Sequence, residues 1–173
     1  MLIHHLNHSS LILEDENSLL LTDPWIFSNA FFGWTQSPMP HTNLVRKICS
    51  KSNKLSIVVI SHAHDDHIDD LFISKLGKNV KIIIPKTSNP GFKNRILRLG
   101  IYESNIIEVA NKELIIGDYS INTFFDNSLS DEDYIFTISN KSSFIIHAND
   151  NWRPFSKETI SGINMLINKG SFK

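Results

Sequence analysis

The run Ser61-His62-Ala63-His64-Asp65-Asp66-His67 follows directly on the apolar stretch Leu-Ser-Ile-Val-Val-Ile at 55–60. A β-branched run of that length reads as a strand covered on both faces, so the chain must build layers on either side of a sheet. Released at the end of that strand are three imidazoles and two carboxylates within six residues. His62 and His64 alternate along an extended segment, so both rings point to one side. Asp66 and His67 reach a neighbouring position as the chain turns. Such a set can hold one or two transition-metal ions. Imidazole and carboxylate donors suit zinc, iron and manganese, and the lack of Cys near the run argues against a closed structural zinc site. Open coordination positions imply catalysis, because a bound divalent ion lowers the pKa of water to about 7 and a metal pair steadies developing charge. The alternative is a polar loop that happens to be rich in His and Asp.

Around this motif the pattern alternates between strands and helices. Residues 10–14 and 18–22, separated by Asp15-Glu16-Asn17, read as a hairpin. Segment 23–41 holds three prolines, two tryptophans and three phenylalanines without a helical or alternating period, which predicts an ordered aromatic loop of the kind that walls a pocket. Trp25, Phe27, Phe31, Phe32 and Trp34 could form the hydrophobic wall of a substrate pocket, with Trp25 the first candidate for substrate contact, and core packing explains most of them equally well. Residues 42–53 fit a helix capped by Thr42. Residues 68–76 fit a second helix ended by Gly77, and 80–84 a second buried strand, which makes a right-handed βαβ unit. A third helix spans 90–99, between Pro90 and Gly100. Strands are expected at 105–109, 113–116, 120–125, 133–138 and 143–148, with 163–168 a candidate final strand. Neither an internal repeat nor a domain boundary is visible, so 1–173 reads as one domain.

Composition narrows the function. With 17 Lys plus Arg against 18 Asp plus Glu, no chain-wide positive field recruits nucleic acid or anionic lipid, which leaves a small-molecule substrate as the expected partner. Cys49 is alone and the N-terminus lacks the basic and apolar regions of a signal peptide, so the expected location is cytoplasmic. No stretch approaches the roughly 18 apolar residues that span a bilayer.

His62-x-His64-x-Asp66-His67 after a buried strand resembles the signature of the metallo-β-lactamase fold superfamily. The opening Asn7-His8-Ser9-Ser10-Leu11-Ile12-Leu13-Glu14 and the later Leu19-Leu20-Leu21-Thr22-Asp23-Pro24-Trp25 look like the start of its lactonase-like members. Asp23-Pro24-Trp25 with the aromatic loop, and Ile145-Ile146-His147-Ala148-Asn149-Asp150-Asn151-Trp152, look most like the catalytic part of CMP-N-acetylneuraminate hydroxylases. The resemblance implies an α/β (α+β) αββα sandwich, incomplete at the C-terminus, with two divalent ions, zinc first and iron or manganese next. It implies that His62 and His64 bind one ion, Asp66 and His67 the other, and that Asp150 bridges them. By turn chemistry alone Asp150 could instead belong to an Asx-turn.

The chain departs from that family pattern twice. A further His is usual before the bridging Asp; here 125–133 is Phe-Asp-Asn-Ser-Leu-Ser-Asp-Glu-Asp, in which Asp126 is the candidate substitute or else part of an acidic turn. A carboxylate there would favour iron or manganese. No His follows His147, although the fold normally supplies a last His to the second ion. A missing C-terminal portion, a completing homodimer partner or a weak second site would each account for it, and the partner would also cover an apolar sheet face.

His8 could be a supporting donor behind the metal ligands or simply exposed. Asp23 could orient a metal-binding His or cap a turn, and Arg153 could pair with an anionic substrate group or lie on the surface. His147 ends a strand at the core or rim, and His4, His5 and His41 carry no chemistry in this reading. Three functions follow. The first is a metal-dependent hydrolase, in which Asp66 also assists proton transfer. The second is an iron-dependent oxygenase that lacks the ligands of a Rieske cluster and takes its electrons from another protein. The third is a non-catalytic binding module.

Overall fold

The computed structural model describes residues 1–40, 43, 45–46, 54–87, 90–110, 112–125, 134–150 and 154–170. Six strands form the first sheet in chain order: β1 (Leu2–Asn7), β2 (Ser10–Glu14), β3 (Ser18–Thr22), β4 (Leu55–Val59), β5 (Lys81–Pro85) and β6 (Ile106–Val109). β1, β2 and β3 run antiparallel as the hairpin reading requires, and β3 to β6 run parallel. The second sheet is antiparallel, ordered β10-β9-β8-β7, from β7 (Leu114–Ile116), β8 (Tyr119–Phe125), β9 (Tyr134–Ser139) and β10 (Phe144–His147). The helices that bear on the site and the layers are α1 (Asp70–Ile73), α2 (Gly91–Arg98) and α3 (Lys157–Lys169), beside a 3-10 turn at Glu103–Asn105.

Strands β4 and β5 are buried on both faces because their side chains divide, at period two, between two cores. Ile57, Val59 and Ile83 face the second sheet, where they meet Tyr119, Ile121, Phe136 and Ile138. Val58, Ile82 and Ile84 face the other way, toward Ile68, Phe72 and Ile73 and toward Phe92 and Ile96 of α2. The Tyr119 hydroxyl donates to Leu13 O at 2.9 Å and so ties the sheets together. Gly117, in the β7–β8 turn at φ +56°, allows the same approach: a Cβ there would sit 2.1 Å from Ser18 Oγ. The layers are α1 and α2, first sheet, second sheet, then α3, which is the αββα sandwich.

The structure departs from the sequence reading in three places. Residues 163–168 are helical, within α3. Ser156 caps that helix by accepting from Thr159 N, and Thr159 and Ile163 are buried at i, i+4 spacing; a short apolar run does not by itself separate helix from strand. α3 lies on the outer face of the second sheet, where Gly162 packs against the Phe124 ring. The helix expected over 68–76 is one turn, α1, because Asp69 caps it at 70. β1 adds a strand that the sequence pattern does not signal: it is an exposed edge strand whose sequence, LIHHLN, carries little apolar alternation. Most of the helix expected at 42–53 falls outside the described residues. No described helix is long and apolar enough to cross a membrane.

Candidate metal centre

The candidate donors gather where β3 and β4 end in the first sheet and β10 ends in the second. After β3 the chain turns at Asp23, whose φ is +34°, and its amide donates to Val59 O at 2.9 Å. The Asp23 carboxylate is 1% exposed, and it anchors Ser61 and His67 in the loop that follows β4. Oδ1 accepts Ser61 N at 2.7 Å; Oδ2 accepts Ser61 Oγ at 2.8 Å and His67 Nδ1 at 3.0 Å. Since the Ser61 hydroxyl proton is used on Asp23, its oxygen accepts from His62 Nδ1, 3.0 Å away. Both His62 and His67 therefore carry their protons on Nδ1 and turn unprotonated Nε2 atoms toward the site, that of His62 accepting from His64 Nδ1. His147 Nε2 lies 2.9 Å from Ser9 O and 3.5 Å from Asp23 Oδ2, on the far side of the same carboxylate.

His62 Nε2 is 2.8 Å from His64 Nδ1 and 3.8 Å from Asp150 Oδ2. His67 Nε2 is 3.3 Å from Asp150 Oδ1 and 3.8 Å from Asp66 Oδ2. One donor atom each from His62, His64 and Asp150 lies within 4.8 Å of the others, and so does one each from His8, His67 and Asp150. Asp150 is common to both groups, one oxygen nearer each. Before it, Asn149 at φ +40° accepts Asp150 N on Oδ1 and donates Nδ2 to Tyr134 O, which ties the end of β10 to β9. The Asp150 carboxylate faces the imidazoles, Oδ2 toward His62 and Oδ1 toward His67.

The donor set fits a divalent cation. His67 Nε2 and Asp66 Oδ1 are buried without a hydrogen-bond partner, an arrangement that costs about 1–3 kcal/mol per group unless something satisfies it. Burial opposes charge on His67, but the hydrogen bond and charge of Asp23, with the charges of Asp150 and Asp66, raise its pKa above the ordinary imidazole value. The field that favours a proton on His67 equally favours a cation against Nε2. Burial also opposes charge on Asp23, and there His147, His67 and the Ser61 amide outweigh it and hold the carboxyl below the usual value. Asp23→Asn keeps the shape but loses that anionic acceptor. Zinc affinity is expected to fall by roughly 10- to 100-fold, read by chelator competition, with the far-ultraviolet circular dichroism unchanged; unaltered affinity would remove Asp23 from the metal-orienting role.

His8 occupies the β1–β2 turn at φ +38°, with Nε2 3.2 Å from Asp66 Oδ2 and its ring edge-on to Trp25 and His67, at centroid distances of 5.7 and 5.1 Å. A pocket of about 350 Å³ opens beside it, walled by Asn7, Trp25, Trp34, Gln36 and Asp66. Of the aromatic loop, Trp25 is buried while Phe32 and Trp34 are exposed, and the Phe31 ring lies 6.0 Å from that of His64. Asp126 and Arg153 lie outside the described residues.

Two residues absent from the sequence reading position this site. Asp69 is 1% exposed. Its Oδ2 accepts Ile26 N at 3.0 Å, Phe27 N, and Ser28 N at 2.8 Å, while Oδ1 accepts Ser28 Oγ at 2.9 Å and Phe72 N at 3.0 Å. One carboxylate thus caps α1 and pins the aromatic loop to it; an Asp just before a helical run was the available signal. Arg95 of α2 holds the histidine loop from outside, donating to Ala63 O at 2.7 Å, Asp65 Oδ1 at 3.0 Å and Asp70 Oδ1 at 2.8 Å. Asp65 is thereby turned away from the donors.

Comparison with known proteins agrees with this architecture. Among solved structures, the chain is similar to CmlA, a diiron β-hydroxylase from Streptomyces venezuelae, with a TM-score of 0.67 at 18% identity, over 93% of this chain and 32% of that one. It is similar to a possible metal-dependent hydrolase from Veillonella parvula, with a TM-score of 0.68 at 15% identity, over 95% of this chain and 68% of the other. An isothiocyanate hydrolase from Delia radicum gut bacteria gives 0.64 at 17%, over 94% and 66%. At these identities the likeness is one of fold, and the chain spans about a third of the hydroxylase and about two-thirds of each hydrolase. No curated protein matches the sequence. The sequence matches the β-lactamase superfamily domain over residues 2–165, and the chain, with its αββα layers and its donors at the strand ends, belongs to that family of metallo-β-lactamase-fold proteins.

Proposed function

We propose that this chain carries the metal centre of a hydrolase acting on a small-molecule ester, lactone, amide or phosphodiester. The observation that supports it best is the pair of donor groups that share Asp150. Two divalent ions, zinc first, would supply hydroxide at neutral pH and neutralise the charge that develops on the substrate. His62 and His64 would hold one ion, Asp66 and His67 the other, with Asp150 between them. Asp66 would also assist proton transfer from the attacking water, its Oδ2 lying 3.2 Å from His8 Nε2 and 3.8 Å from His67 Nε2. Trp25 and Trp34 would seat an apolar part of the substrate, with Asn7 and Gln36 offering neutral hydrogen bonds. A di-iron oxygenase is the second reading, supported by the carboxylates Asp66 and Asp150 at the His67 position.

The test is elemental analysis of protein purified without added metal, beside hydrolysis of a lactone, ester and phosphodiester panel by wild type and His64→Ala. Two zinc ions per chain, with turnover lost more than 100-fold in the variant, is the expected result. Iron or manganese without hydrolysis would favour the oxygenase. Metal no higher in wild type than in the variant would overturn both readings and leave the binding module.

A further inference from the structure

We propose that His8 is itself a ligand of the second ion, so that this position is held by His8 Nε2, Asp66 Oδ2, His67 Nε2 and Asp150 Oδ1. The inference rests on the two-ion reading above and adds a ligand from the N-terminal hairpin. Donors about 2.0–2.1 Å from a tetrahedral zinc lie roughly 3.3–3.4 Å from one another. Here His8 Nε2 is 3.2 Å from Asp66 Oδ2, His67 Nε2 is 3.3 Å from Asp150 Oδ1, and His67 Nε2 is 3.8 Å from Asp66 Oδ2. Rotation of the Asp66 carboxylate, which stands outside the group of donors already within 4.8 Å of one another, would bring the set onto one ion. The donor atoms of His8, His67 and Asp150 also lie within 4.8 Å of one another. A buried group aims at the same place, since His67 Nε2 has no hydrogen-bond partner.

The competing role for His8 is a hydrogen-bond donor behind Asp66, and the geometry opposes it. A supporting donor binds the carboxylate oxygen that faces away from the ion. His8 instead contacts Oδ2, the oxygen nearer His67 Nε2, while Oδ1 is left without a partner. The turn that carries His8 is anchored to the rest of the site. Asn7 Nδ2 donates to Trp25 O at 3.0 Å, and Ser10 Oγ donates to Asp23 O at 2.5 Å. His8 therefore joins the hairpin to the strand-end donors and stands between the second ion and the pocket walled by Trp25 and Trp34.

The experiment titrates the metal-free full chain with cobalt(II), following the visible ligand-field bands, for wild type, His8→Ala and His8→Gln. Wild type is expected to bind two equivalents. Both variants should keep the first and lose at least 10- to 100-fold in affinity for the second, because Gln preserves a hydrogen bond to Asp66 but offers no imidazole nitrogen. Restoration of the second equivalent by Gln would make His8 a supporting donor and overturn the proposal, as would wild-type affinity in His8→Ala. Fewer than two equivalents in wild type would instead overturn the two-ion reading on which it rests. Melting of the metal-free variants at the wild-type temperature confirms that the comparison is between folded proteins.

Discussion

Asp150→Ala is expected to abolish both metal equivalents together, where removal of any one histidine weakens one. The reason lies in the shared carboxylate: its Oδ2 is 3.8 Å from His62 Nε2 and its Oδ1 is 3.3 Å from His67 Nε2. Taking it away strips one donor and the main partly exposed negative charge from each group. The loss should exceed the roughly 10- to 100-fold that removal of a supporting partner costs. The cleanest readout is thermal. An ion present at 100 times its Kd stabilises the folded state by about 2.7 kcal/mol, or roughly 5–10 °C in Tm for a chain of this size. Wild type should show that rise on adding zinc, and Asp150→Ala should melt at one temperature with or without it. If Asp150 merely shapes the turn after β10, the variant would melt lower in the absence of metal yet keep the zinc-dependent rise.

Asp69→Ala is expected to be the most destabilising single change outside the apolar cores. Three amides of the aromatic loop, the Ser28 hydroxyl and the α1 cap at Phe72 N all end on this buried carboxylate. A lost cap costs about 1 kcal/mol and each buried donor left unpaired about 1–3 kcal/mol. With partial rearrangement of the loop a total of about 3–5 kcal/mol follows, a large part of the roughly 5–15 kcal/mol typical of a folded domain. Tm of the metal-free protein should fall by roughly 6–20 °C, and a fall equivalent to under about 1 kcal/mol would sink the argument. The same residue leaves a pH signature. Burial raises its pKa, but the amides of Phe27, Ser28 and Phe72 and the Ser28 hydroxyl outweigh that and hold it below the ordinary value. The stabilisation is therefore fully present above the unfolded carboxyl pKa of about 3.9 and is lost as pH falls through the lower folded value. Asp69→Asn should flatten that acid limb of the stability profile.

Much of the site is readable in the sequence because it is local. His62, His64, Asp66 and His67 follow one buried strand, and a strand that ends by releasing its donors needs only a few residues of context to recognise. The parallel strands at 55–60 and 80–84, the hairpin, and the helix between Pro90 and Gly100 are legible for the same reason: their signals are periodicity and punctuation within a short window. Residues 163–168 mislead because an apolar run of that length fits either period, and only packing against Phe124 and capping by Ser156 select the helix.

What the tertiary structure alone decided is which distant residues meet. Asp23 reaches Ser61 and His67 because β3 and β4 are parallel neighbours that end side by side, and Asp150 reaches His62 and His67 because β10 ends at the same rim of the opposite sheet. The resemblance to the family points to Asp150, but nothing within its own stretch distinguishes a carboxylate facing imidazoles from one in an Asx-turn. His8 and Asp69 are hard to weigh from sequence for the same cause, since a His in a turn and an Asp before a helix are ordinary until pairing of the strands sets one beside Asp66 and folding of the loop lays the other under residues 26–28. Local chemistry names the donors; sheet register and the stacking of two sheets determine which of them come within reach of one another, because those contacts form only after long segments of chain have closed.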